Sequence, residues 1–165
     1  KKLGAQITAV DFPDSAIYPF SIMDPIISAE SAAAFDGLTR GNKDDLIRRQ
    51  DKAFWPNSFR VSRFVPAVEY INANRHRYAL MEAMNNFMKA YDVMIVPSFS
   101  GNQLAMTNLT GHPAIVFPIG FNQNGLPVSI TLLGNLYADA TIVSVAKAFQ
   151  DATDFHLKHP EKFTH

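Results

Sequence analysis

The spacing Ser144-Val145-Ala146-Lys147 sets a lysine one helical turn from a serine, a pattern in which an amine can serve a nucleophilic hydroxyl. The helix expected here turns Ile142, Ala146 and Phe149 to one side and Ser144 and Lys147 to the other. Both then point to water, and a nucleophile needs a pocket and an orienting partner. A solvated helix face is the expected role. His156 and His159 stand one turn apart with Asp151, Asp154 and Glu161 close by, and imidazoles so spaced can share a metal ion. Pro160 and the position at the end of the chain favour a solvated tail instead, so no metal is assigned. His112, next to Pro113, has the chemistry of a general base. No serine or cysteine is held beside it in sequence, which favours a histidine satisfied by loop backbone. Arg75 and Arg77 fall on a predicted helix, and surface ion pairs are their default.

The segment Ser98 to Thr110 differs from these. It carries seven neutral hydroxyl or amide side chains, Ser98, Ser100, Asn102, Gln103, Thr107, Asn108 and Thr110. A loop rich in donors and acceptors at a strand end is where open α/β sheets bind small ligands. The same side chains could equally serve the loop's own backbone. No glycine-rich phosphate loop exists, because the eight glycines are scattered.

The elements that must position this loop are legible from periodicity. Asp92 to Pro97 and Ala114 to Phe121 are β-branched apolar runs that predict short buried strands. Asn124-Gly125 then predicts a two-residue hairpin turn into a third strand, Val128 to Leu133. Upstream, Ile71, Tyr78, Met81, Met84 and Met88 recur at helical spacing behind Pro66. A helix of ~24 residues running to Lys89 would span roughly 36 Å and deliver the chain to the Asp92 strand. Its methionines read as core filler. Downstream, Asp139 can cap a helix that buries Ile142, Val145, Ala146, Phe149 and Ala152, and Asp154 onward reads as a surface tail.

The amino-terminal third is less regular. Gln6 to Val10 alternates like a strand, Asp11 to Pro25 holds three prolines and reads as a connection, and Ser28 to Phe35 predicts a short helix stopped by Asp36-Gly37. Asn42 can cap a second helix, with Asp44 and Asp45 in its first turn, ending near Trp55-Pro56. Asn57 to Val65 has no periodicity and reads as loop.

Composition bounds the rest. The 165 residues are 47% hydrophobic and 18% charged, enough to bury one core, so a single domain over residues 1–165 is expected. Fifteen basic and fifteen acidic residues cancel, which leaves no electrostatic footprint for nucleic acid or an anionic membrane. Cysteine is absent, so disulfides and thiolate chemistry are excluded. No apolar run approaches the roughly 18 residues of a membrane span. The compartment stays open, with the cytoplasm favoured. The chain starts at Lys1 without an initiating methionine and is expected to be a piece of a longer one.

Four segments in order, DVMIVPS (Asp92 to Ser98), TNLTGHPAIVFPIGF (Thr107 to Phe121), GLPVSITLLG (Gly125 to Gly134) and ADATIVSVAKAFQDATDFHLKHP (Ala138 to Pro160), resemble the C-terminal part of the amidase signature hydrolases. LGAQITAVDFP (Leu3 to Pro13) and YINANRHR (Tyr70 to Arg77) fit the same order. The resemblance implies a fragment of an α/β/α fold, a partial mixed sheet with an Asn-Gly hairpin and packed helices. It implies an enzyme that hydrolyses amide bonds through a serine nucleophile, a bridging cis-serine and a lysine base, without a cofactor. Those catalytic residues belong to a glycine- and serine-rich signature that this sequence does not contain. The nearest stretch, Ser98-Phe99-Ser100-Gly101, lies elsewhere in the order. No catalytic residue is therefore assigned, and the chain alone is expected to be inactive.

In such enzymes the Ser98 to Asn108 loop would help wall the acyl side of the substrate pocket. The expected substrate-binding residues are Ser98, Ser100, Asn102, Gln103, Thr107 and Asn108. One branch of the family, the A subunit of glutamine-dependent tRNA amidotransferases, holds the substrate amine with an acidic residue before its Asn-Leu pair. No carboxylate lies between Ser98 and Thr110, which favours a general amidase over that branch. A non-catalytic α/β domain that binds a small ligand is the alternative from another class. Unpaired strand edges in a partial sheet favour self-association, so a homo-oligomer is expected.

Overall fold

The computed structural model describes residues 4–13, 17–99 and 101–160. Its centre is a three-stranded antiparallel sheet of β1 (Val93–Pro97), β2 (Ala114–Phe121) and β3 (Pro127–Gly134) in the order β1-β3-β2. The register sets Val96 and Val116 on either side of Thr131, and Ile95 and Ile115 on either side of Leu132. Because side chains alternate along a strand, Met94, Val96 and Leu133 face one way and Leu132, Ile115 and Phe117 the other. All three expected strands are present, and the α/β reading holds.

The turn between β2 and β3 is longer than two residues. Strand pairing stops at Phe121 and Pro127, and beyond it the Asn122 amide donates to the Leu126 carbonyl at 2.9 Å, which leaves Gln123, Asn124 and Gly125 as the loop. Within this turn the Gly125 amide donates to the Asn122 carbonyl at 3.0 Å, and Gly125 takes the left-handed φ of 70°. Asn122 Oδ1 accepts from the amides of Asn124 and Leu126. The turn is thus a reverse turn closed by a left-handed glycine, the three-residue hairpin pattern. Asn124 has no positive φ, so it does not play the part that an Asn-Gly two-residue turn requires.

One face of the sheet is covered by α4 (Ala67–Met88), α5 (Gln103–Thr110) and α1 (Met23–Ala34). Leu80, Met84, Met88 and Met106 are fully buried there, together with Ile26, Ala73 and Leu109. The long helix forms as expected behind Pro66, but its buried seam is Ala73, Leu80, Met84 and Met88, whereas Ile71 and Tyr78 are exposed. The other face is covered by α6 (Asp139–Asp151), which contributes Ile142 and Ala146 against Phe117 and Leu132. Close approach of this helix requires Gly134, since a Cβ there would lie 2.8 Å from Ile142 Cγ2 and 3.4 Å from Pro113 Cγ.

Several expectations for the amino-terminal third are corrected. Gln6 to Val10 is exposed and pairs with no strand among the described residues. Helix α1 starts at Met23 within the expected connection, with Pro25 in its first turn, where a proline's missing amide is not needed. Helix α1 ends at Ala34, beside the expected stop, but Asp36-Gly37 is itself helical and opens the short helix α2 (Asp36–Arg40). Asn42 caps nothing, because its φ of 52° is left-handed, and only a 3₁₀ turn, Asp44–Leu46, follows. The expected loop after Trp55 is α3 (Trp55–Ser62), with Pro56 at its start. Buried Asp44 pairs with Arg60 of α3, and Phe59 stacks on Phe35 at 4.7 Å and on Trp55 at 5.6 Å.

The carboxy-terminal segment is also more ordered in role than a surface tail. A 3₁₀ turn, Phe155–Leu157, folds back so that the Phe155 ring stacks near Phe149 at 6.3 Å and covers Gly120 of β2.

Candidate functional site

The polar segment after β1 is mostly helix. Phe99 (φ 58°) and Gly101 (φ 61°) turn the backbone sharply, Asn102 occupies the cap position, and α5 runs from Gln103 until Gly111, whose φ of 77° ends it. Helix formation decides what the polar side chains can do. Thr107 Oγ1 donates to the Gln103 carbonyl at 3.0 Å, Asn108 Nδ2 to the Leu104 carbonyl at 2.7 Å, and Thr110 Oγ1 to the Met106 carbonyl at 2.8 Å. These bonds are local, between a side chain and its own helix. At the other end, Ser98 Oγ lies 2.8 Å from Thr131 Oγ1 of the central strand. Gln103 is 2% exposed, and its Oε1 has no partner. Asn102 and Asn108 are exposed. Ser100 lies outside the described residues.

His112 follows Gly111 and is 4% exposed. Its Nδ1 is 2.8 Å from Thr110 Oγ1. Since the Thr110 hydroxyl proton goes to Met106, His112 Nδ1–H donates and Nε2 is left as a buried acceptor without a partner. Burial holds the imidazole below the ordinary histidine value of 6.5. A histidine beside a hydroxyl resembles a catalytic pair, but this hydroxyl is already committed and 1% exposed. The pair therefore braces the junction of α5 and β2. Its partner is the Thr110 side chain, not the loop backbone expected from the sequence.

The other candidates resolve simply. Ser144 Oγ donates to the Ala140 carbonyl at 2.8 Å, and Lys147 pairs with Asp151 on the exposed side of α6. His156 and His159 are exposed, Asp154 pairs with Lys158 at 2.8 Å, and no group of three metal-ligating side chains occurs among the described residues. Glu161 lies outside them. Arg77, half-buried, donates from Nε to the Leu109 carbonyl at 2.7 Å. It satisfies a carbonyl at the end of α5, where a cation also suits the helix dipole. Nothing in its helical position announced that role. Thr131 was likewise missed, because a threonine inside an apolar strand reads as β-propensity until its neighbour Ser98 is placed. The arrangement offers a polar rim around the start of α5 and no activated nucleophile among the described residues.

No family model matches the sequence. The chain is 25% identical over 197 aligned positions to the A subunit of the glutamyl-tRNA(Gln) amidotransferase of Chromobacterium violaceum, covering 97% of this chain and 41% of that one. It therefore spans about two fifths of the length of such relatives, in their C-terminal part. Among solved structures, the native peptide amidase from Stenotrophomonas maltophilia matches with a TM-score of 0.72 at 16% identity, over 94% of this chain and 37% of that one. A bacterial aryl acylamidase described as belonging to the amidase signature family matches with a TM-score of 0.63 at 17% identity, over 81% and 34%. The structural likeness speaks to fold: the chain folds as a fragment of the amidase signature α/β architecture. Together with the sequence match, it bears out the relationship to amidase signature hydrolases.

Proposed function

We propose that this chain is the C-terminal part of an amidase that hydrolyses carbon–nitrogen amide bonds, with the serine, cis-serine and lysine of the mechanism in residues that it does not contain. The observation that carries the reading is the match to about two fifths of the relatives' length, in a chain where Ser31, Ser58 and Ser144 bond to backbone carbonyls and Ser98 to Thr131, none of them to a base. Within the enzyme this part supplies strands, the long helix α4 and a pocket wall. The wall is the Ser98 to Asn108 segment, with Ser98, Ser100, Asn102, Gln103, Thr107 and Asn108 as the residues assigned to a small amide substrate. Asn102 and Asn108 are its exposed members.

A second reading, the A subunit of a glutamine-dependent tRNA amidotransferase, is favoured by the name of the sequence relative above. The lack of a carboxylate between Ser98 and Thr110 weighs for a general amidase. A formal net charge of zero leaves any contact with tRNA to other parts of such an enzyme. No helix among the described residues is long and apolar enough to cross a membrane.

The test is an assay of the purified 165-residue chain on simple amides. No turnover is expected, and turnover abolished by replacing a serine of this chain overturns the reading. Upstream of Lys1, the coding sequence is expected to show a lysine and then a glycine- and serine-rich stretch; a start codon there favours the stand-alone ligand-binding domain. The isolated chain is expected to self-associate through apolar surface left exposed, such as that around Ile95, and light scattering from a well-behaved monomer would remove that expectation.

A further inference from the structure

Helix α4 buries one side and leaves the other bare. Opposite its buried seam, Val68, Ile71, Arg75, Tyr78 and Glu82 recur at intervals of three and four residues, which sets them in one stripe along the helix. All five are exposed, and Val68, Ile71 and Tyr78 are each more than half exposed. Tyr70, Ile71, Asn74, Arg75 and Tyr78 line a groove of about 490 Å³, and every one of them belongs to α4. The groove therefore has only one wall. It runs between two rows of residues four apart, Tyr70-Asn74-Tyr78 and Ile71-Arg75, and such a groove is the surface into which a second helix packs its own ridge. Tyr70 and Asn74 are already committed, the first to Glu30 of α1 at 3.2 Å and the second to the Tyr70 carbonyl at 3.0 Å. The ion pairs among the described residues involve neither Arg75 nor Glu82.

We propose that this stripe is the contact of a homodimer in which α4 packs antiparallel against α4 of a second copy, with the two-fold axis passing between Arg75 and Tyr78. The charges choose both the occupant and its direction. Arg75 and Glu82 stand seven residues, about 10.5 Å, apart on one line and are opposite in sign. Antiparallel pairing brings Arg75 of each copy over the ring of the other's Tyr78 and within reach of its Glu82, so that each charge meets its opposite. Parallel pairing would set Arg75 against Arg75 and Glu82 against Glu82. A stripe that is its own complement when reversed is what a two-fold contact requires. Ile71 and Val68 then extend the contact on either side of the axis. Residues of a longer amidase suit the stripe less well, because further strands and helices of a layered α/β fold add beside the sheet and on its faces, whereas this stripe lies on the outside of a helix layer. The contact is independent of the amide chemistry.

The experiment is sedimentation equilibrium of the 165-residue chain and of any longer protein whose coding sequence runs into Lys1. A dimer is expected in both. Arg75→Glu or Glu82→Arg places like charges across the axis and is expected to raise the dissociation constant at least about tenfold. The two substitutions together exchange the charges and should return it to within about threefold of the original value. Ile71→Glu sets a carboxylate against Glu82 of the second copy and should weaken the dimer by about tenfold or more. These side chains are exposed in the single chain, so the fold should survive each change, with unchanged helical circular dichroism as the check. Ile95→Lys, on the α6 side of the sheet, separates this contact from unspecific association through other apolar surface and is expected to leave the dimer intact. A monomer before any substitution, a double reversal no tighter than the single ones, or a dimer that Ile95→Lys breaks overturns the proposal and leaves the amidase reading as it stands. So does a dimer of the short chain that disappears in the longer protein, since other residues of that protein then cover α4.

Discussion

Against one face of the sheet Met94, Val96 and Leu133 meet Leu80, Met84, Met88, Met106 and Leu109, most with no accessible surface; against the other, Phe117 and Leu132 meet Ile142 and Ala146, and Ile95 is 51% exposed. The first face is a core in its own right under three helices, with Val116 of β2 left 55% exposed at its margin. The second is a thin contact under one helix. The difference teaches that the chain carries enough buried apolar surface on one side to fold, and leaves the other side partly unfinished.

Substitutions in the two cores measure that asymmetry. Leu80→Ala removes a fully buried side chain from the thicker core and is expected to cost about 3–5 kcal/mol in urea unfolding. Ile142→Ala, in the thinner one, should cost about 2–3 kcal/mol, because an open site relaxes more readily around a deletion. Equal costs would break the comparison.

His112 offers a smaller effect, read by pH. Its folded value is held below 6.5 by burial, so as pH falls below that value the unfolded chain takes up the proton first. Stability is therefore full above about pH 6.5 and declines as pH falls, until the folded imidazole titrates too. His112→Asn should flatten that decline, with thermal unfolding between pH 7 and 5 as the check. Smallest of all is Lys147→Ala. Both members of the Lys147–Asp151 pair are more than half exposed, and the change in stability should stay within about 0.5 kcal/mol. The same substitution also leaves any amidase activity of the longer protein unchanged if the Ser144–Lys147 spacing is only a helix face.

The strands were legible because their signals are short-range. A β-branched run ended by Pro97, another broken by Pro118, and a glycine at the turn need no distant partner to be recognised. The Asn-Gly pair predicts a turn one residue too short, since Asn122 Oδ1 bonding to two amides of its own loop is not visible in that pair. The helical third was harder for a physical reason. Pro56 ends a helix or begins one with equal ease, and the pairing of Asp44 with Arg60 and the stacking of Phe35, Phe59 and Trp55 favour its beginning there. The candidate site was half legible. Its polar residues were visible, but their seven side chains look alike in sequence whether they face a ligand or bond to their own helix.

By itself, the sequence determined the three strands, the long helix behind Pro66, the solvated Ser144–Lys147 face and the relationship to amidase signature hydrolases, because these depend on local spacing or on an ordered series of motifs. Only the tertiary structure decided which side of the long helix is buried and which polar groups of the Ser98 to Thr110 segment are already satisfied. Each of those depends on what a residue meets across the fold, and contacts between residues far apart in the chain leave no mark on the spacing of their neighbours.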